Sequence, residues 1–259
     1  MKHLRAIPRI MEMTLKQNLS DGFVIFTVFI QPLLVALLGL WMLQEKGPEF
    51  AIYIVVGSGM AGLWSSLVFV AGNAVSIERW FGTLETLVGV PTPLATVVFG
   101  KNLANVAQSL VSMVLCYLLA SLFFGYPLTV AMPGAFIVSI AAVAIAFICF
   151  GLVIAPIFVL NPQIAQFQNG LEFPVYVVSG FLFPVAMLPI WTVPVSYALP
   201  TYWAARALHA AAQATEPLAS IALSWVVLLA TSSAYVLVGA VMFRSFIRRA
   251  KEKATLDAF

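Results

Sequence analysis

Residues 135–160 read AFIVSIAAVAIAFICFGLVIAPIFVL, without one charged side chain. A helix needs about 20 consecutive apolar residues to cross the hydrocarbon core of a bilayer. Inside that core every backbone polar group must be satisfied within the protein, which leaves helices and closed barrels. Barrel strands are shorter and alternate polar with apolar residues, which this stretch does not. The segment is therefore a membrane-spanning helix, and it sets the fold class: an all-α integral membrane protein.

Five further stretches have the same character: Phe23–Leu43, Phe50–Val75, Leu103–Phe124, Ile164–Phe183 and Leu218–Phe243. Within the six the only charged residue is Glu172. The composition agrees, with 62% hydrophobic and 9% charged residues and a mean hydropathy of +1.03, where a soluble domain is about a quarter charged. These figures exclude a disordered chain, a nucleic-acid-binding domain and an ordinary water-soluble globule. Cys116 and Cys149 both fall in apolar stretches and exclude a disulfide framework.

Orientation follows from lysine and arginine. With both termini on one side, that side carries Lys2, Arg5, Arg9, Lys16, Arg79, Lys101, Arg244, Arg248, Arg249, Lys251 and Lys253, against Lys46 and Arg206 on the other. Both termini are expected in the cytoplasm. The approach to the first span is too long for a typical signal peptide, and no small-residue cleavage site follows it.

The parts outside the spans are too short to fold separately, so residues 1–259 read as one membrane domain. In residues 1–22, Lys2, Arg5, Arg9, Glu12 and Lys16 recur at helical spacing opposite Leu4, Ile7, Met11, Leu15 and Leu19, with Pro8 suited to a first turn. This is an amphipathic helix for the inner membrane surface or, more simply, a polybasic topology signal. The loop 76–101 contains Ile77-Glu78-Arg79-Trp80-Phe81-Gly82-Thr83-Leu84-Glu85-Thr86-Leu87, then Pro91 and Pro93. As one helix it would put Glu78 and Glu85 on a single acidic face, suited to docking on another protein; otherwise it is an ordinary solvated loop. Residues 184–217 are apolar yet carry Pro184, Pro189, Pro194 and Pro200, which forbid one continuous helix. Short re-entrant helices dipping into the outer leaflet are expected, with Tyr197, Tyr202 and Trp203 at headgroup level.

Catalytic signatures are missing from the sequence. The only Gly-Lys pair, Gly100-Lys101, precedes Asn102, and Ala95 stands where an ATP-binding loop needs glycine. Gly57-x-Gly59-x-x-Gly62 matches a dinucleotide fingerprint by letters, but mid-span it reads as close helix packing. His3 and His209 lack metal-ligand spacing, and no Ser–His–Asp group or catalytic acid pair is present.

The fifth stretch carries a polar stripe. Gln166, Asn169, Glu172, Tyr176 and Ser179 fit a wedge of roughly 140° on a helix and rise about 20 Å along it. A charge at the bilayer centre costs about 2.5–3.5 kcal/mol on insertion scales, so Glu172 must face a partner, the protein interior or a wet cavity. The stripe either lines a translocation path or ties helices together. Gln31, Asn73, Asn105 and Gln108 are weaker polar marks.

Taken in order, Glu78…Gly82-Thr83-Leu84-Glu85…Pro91 after the second span and Ser179-Gly180…Phe183-Pro184…Leu188-Pro189-x-Trp191…Pro200…Arg206 after the fifth resemble the type-2 ABC transporter permeases. The similarity covers nearly the whole chain and leans toward the daunorubicin-resistance-like drug exporters. The resemblance implies a pair of permeases, each bound to a cytoplasmic ATPase subunit that carries ATP and Mg; no cofactor is expected on this chain. Glu78, Arg79, Gly82, Thr83, Leu84 and Glu85 would form the coupling helix. Phe183, Pro184, Pro189 and Trp191 would belong to the extracellular gate. The expected activity is export of an amphipathic small molecule, drug or lipid-linked substrate across a cell membrane of prokaryotic type. Polysaccharide and teichoic-acid exporters share the architecture. From another class, a proton-coupled transporter using Glu172 is the alternative. Glu172 belongs to no family motif matched here.

Overall fold

The computed structural model describes residues 6–42, 48–83, 86, 89, 92–126, 129–161, 163 and 166–252. Helix α1 is Ile7–Ser20, with a proline in its first turn as the sequence predicts. Asp21 ends it and caps the next helix by accepting from the Phe23 and Val24 amides. Among the described residues five helices are long and apolar enough to cross a membrane: α2 (Gly22–Met42), α3 (Phe50–Trp80), α4 (Leu94–Phe124), α5 (Pro133–Leu160) and, within α9 (Leu218–Glu252), residues Leu218–Ser245. Of the fifth apolar stretch, residues 164 and 165 lie outside the described residues. Among its described residues is the 11-residue helix α6 (Gln168–Val178), with Phe167 at its N-cap and Ser179 at its C-cap. Among the described residues the six apolar stretches thus give five long helices and the shorter α6.

Each proline of the segment after α6 opens a new turn. Pro184 and Pro189 precede the 3₁₀ turns Val185–Met187 and Ile190–Thr192. Pro194 sits in the first turn of α7 (Val193–Ala198), and Pro200 begins α8 (Pro200–Gln213). Proline's fixed φ suits the first turn, where its missing N–H would be unpaired anyway. Helix α8 is built from small residues and buries Ala204, Ala205, Ala207, Leu208, Ala210 and Ala211. It packs against α3, α5 and α9. Its last carbonyls, on Ala211 and Ala212, accept from the Met132 and Ala131 amides of the loop before α5.

Helix α3 forms the axis of the bundle. Its spanning window is wholly buried, against a third for α2 and about a fifth for α9. The glycines make this possible, each at a contact that a side chain would obstruct. A Cβ on Gly57 would lie 1.8 Å from the Phe181 carbonyl oxygen, on Gly59 2.5 Å from Met113, and on Gly62 2.6 Å from Pro32. The fingerprint-like glycines are close-packing residues, as their mid-span position indicates. Exposed apolar side chains (Phe26, Leu34, Leu38 and Trp41 on α2; Val226, Leu237 and Val241 on α9) line the outside.

Candidate functional site

The polar centre lies where α2, α3 and α6 meet. Glu172 is 2% exposed. Its Oε1 accepts from Gln31 Nε2 of α2 at 2.7 Å, from the Tyr176 hydroxyl one turn along α6 at 2.5 Å, and from Ser65 Oγ of α3. Ser65 and Tyr176 also touch each other at 2.5 Å, and the Tyr176 hydroxyl reaches the Ala61 carbonyl at 3.3 Å. Three donors on one carboxylate oxygen answer the desolvation that a buried acid otherwise suffers. Gln31 directly follows a π-helical stretch (Phe26–Ile30), and Ser65 directly precedes another (Ser66–Ala71). Such stretches are rare and often mark functional sites.

The predicted stripe is only partly one surface. Glu172 and Tyr176 point to the centre, while Ser179 is buried beyond the helix end, 2.5 Å from Thr201 Oγ1 of α8. Gln166 precedes the helix and is exposed. The side chain of Asn169 lies outside the described residues. Sequence reasoning ranked Gln31 low and passed over Ser65, whose contact with Glu172 spans 107 positions of chain.

At the α1 end, a cavity of about 970 Å³ is lined by Gln17, Asn18, Asn73, Arg79, Lys101 and Gln166, among others. It reaches Gln168 but not Glu172. Helix α1 packs against α4. Asn18 is buried and donates to Asn105 Oδ1 at 2.8 Å and Gln108 Oε1 at 2.7 Å on α4, and a Cβ on Gly100 would meet Ile10 at 2.9 Å. Its outer face remains charged, with Lys16 paired to Glu12 at 2.7 Å. The hydrogen bond from Lys16 holds the Glu12 carboxyl below its ordinary pKa.

The acidic face predicted for loop 76–101 is corrected. The last helical piece of α3 is Ser76–Trp80, and Gly82 takes a left-handed φ of +68°, so the helix that carries Glu78 ends before Gly82. Glu78 turns inward, paired with Lys101 of α4 and accepting from the Thr83 hydroxyl. Leu84 and Glu85 lie outside the described residues. Among the described residues of this loop two aromatic side chains are open to solvent, Trp80 at 87% and Phe81 at 74% exposed, beside Arg79.

At the opposite end, Pro184, Pro189 and Trp191 are exposed and Phe183 is half-buried, so the expected gate residues project from the bundle rather than fill it. The buried part is the turn before them. Phe181 is fully buried, and Gly180 has a left-handed φ of +72°. Arg206 binds Glu216 through two nitrogens at 2.9 Å, a hydrogen-bonded pairing that raises its pKa above the ordinary arginine value, and its guanidinium lies 5.5 Å over the Trp203 ring.

Residues 7–212 match the family described as ABC-2 type transporter, and the chain belongs to that family. It is similar to ABC transporter G family member 20 of Dictyostelium discoideum, 29% identical over 155 residues, which is 58% of this chain and 21% of that relative. The chain therefore spans about a fifth of the relative it matches. With its apolar helices, membership makes it a multi-pass membrane protein of the ABC-2 permease class.

Proposed function

We propose that the chain is the non-catalytic permease of an ABC exporter, moving an amphipathic small molecule, drug or lipid-linked substrate out of the cytoplasm or inner leaflet. The family match over residues 7–212 carries the reading. The work comes from a cytoplasmic ABC ATPase, two copies of which hold ATP and Mg and engage two copies of this permease. Both termini and the loop 76–101 face the cytoplasm, and the exposed Trp80 and Phe81 meet the ATPase together with Glu85, which the sequence places in the same loop. The Glu172 centre forms the closed wall of the path between α2, α3 and α6. Proton-driven transport through Glu172 is not favoured, because the family is an ABC family.

The test is purification of the full chain from membranes with the ATPase that accompanies it, followed by substrate-stimulated ATP hydrolysis. Glu85→Ala and Trp80→Ala are expected to lower recovery of the ATPase and to uncouple hydrolysis. Unchanged recovery and coupling in both variants would remove the docking assignment. Glu172→Gln is expected to impair transport while leaving ATPase recovery intact, and unchanged transport would reduce Glu172 to packing.

A further inference from the structure

The turn Ser179–Leu182 is irregular backbone surrounded by protein. Two of its carbonyls are met by side chains from two other helices. The Tyr53 hydroxyl of α3 donates to the Gly180 carbonyl at 2.9 Å, and His209 Nε2 of α8 lies 3.2 Å from the Phe181 carbonyl. Since a carbonyl only accepts, Nε2 is the protonated nitrogen. The two rings are stacked, 3.7 Å between centroids and 5° from parallel, so they form one slab against the turn. Helix α3 also meets the Phe181 carbonyl at Gly57, where only a glycine leaves room. His209 is buried, and its Nδ1 has no partner among the described residues.

The geometry points to Tyr53 and His209 as positioning residues for transport, a latch that seats the Ser179–Leu182 turn and holds the outward side closed until α3 moves against α8. This rests on the exporter reading, because only a transporter must open that side. Three features carry it. The turn leads directly into the apolar segment that begins at Pro184. Its two carbonyl bonds come from different helices, so relative motion of α3 and α8 must break at least one of them. Helix α3 ends at the Ser76–Trp80 piece, about 35 Å from Tyr53 at helical rise, so a displacement at the docking loop acts on the same continuous element.

The test uses the full chain in intact cells with a Leu182→Cys reporter just inside the turn, labelled from outside by a membrane-impermeant sulfonated maleimide. The buried Cys116 and Cys149 supply the background. Tyr53→Phe, which keeps the stack and removes one hydroxyl, and His209→Gln are each expected to speed labelling about tenfold, the effect of one hydrogen bond on an opening equilibrium. A Trp80→Cys reporter at the other end, read in inside-out vesicles, should stay unchanged. If neither variant alters labelling, or if both reporters accelerate equally, the latch is overturned; the second outcome means general loosening. In vesicles holding the chain with its co-purified ATPase, ATP should raise labelling at Leu182→Cys with the latch intact. Latch variants that open while ATP has no effect refute the exporter reading and keep the closure role. An ATP effect with inert latch variants does the reverse.

Discussion

The two connections at opposite ends of the bundle are built on opposite plans. The loop after α3 is charged in sequence, yet its Glu78 turns back to Lys101 and Thr83, and aromatic side chains face solvent. The segment after α6 is apolar in sequence, and it enters the bundle as α8, fixed by hydrogen bonds and by contacts to three long helices. Polarity alone therefore does not tell which connection packs. Small residues and proline do. Alanines let α8 come close, and prolines break the preceding chain into turns short enough to fold back.

The sharpest way to break this contrast is Gly57→Ala. The new Cβ meets backbone, not a flexible side chain, where the turn touches α3. Overpacking of this kind costs about 3 kcal/mol or more, expected as a large fall in melting temperature in detergent. An unchanged melting temperature would show that the turn is loosely seated. Next comes Glu172→Leu, which strands donors from Gln31, Ser65 and Tyr176 in an apolar site. About 2 kcal/mol is expected, and equal stability of Glu172→Leu and Glu172→Gln would mean that the acceptor is dispensable. Lys101→Met leaves the mostly buried Glu78 carboxylate with Thr83 alone and should cost about 1–2 kcal/mol, discounted from a fully buried pair because both groups keep some contact with solvent. If Lys101→Met matched Gly57→Ala in cost, the loop would be as tightly built as the turn. The smallest effect, of opposite sign, is expected for Gly170→Ala on α6. Nothing lies within 4 Å of the new Cβ, and helix propensity gains about 0.5–1 kcal/mol.

Five of the six apolar stretches were legible as long helices because span length is a composition signal that needs no tertiary knowledge. The close-packing glycines were legible too, since three small residues mid-span have few other uses. At the centre, Glu172 and Tyr176 were legible as neighbours on one helix face. Ser65 was not, because a serine in an apolar stretch usually bonds its own backbone, and nothing local marks it as the partner of a residue 107 positions away. Tyr53 and His209 were hidden for the same reason: stacking is a tertiary event, and His209 in isolation shows only the absence of metal spacing. The helix expected across Glu78 and Glu85 failed at Gly82, whose left-handed conformation ends it.

The spanning window of helix α3 is enclosed by protein along its whole length. Its insertion therefore has a consequence for the order of biogenesis. A helix enclosed on every side cannot slide into a finished bundle; the others must gather around it. Synthesis from the N-terminus delivers α3 before α4, α5, α8 and α9, so the ribosome hands the membrane its innermost piece early and the enclosing pieces afterwards. A circular permutation that moved α3 to the end of the chain would keep every contact in the final structure and remove that ordering.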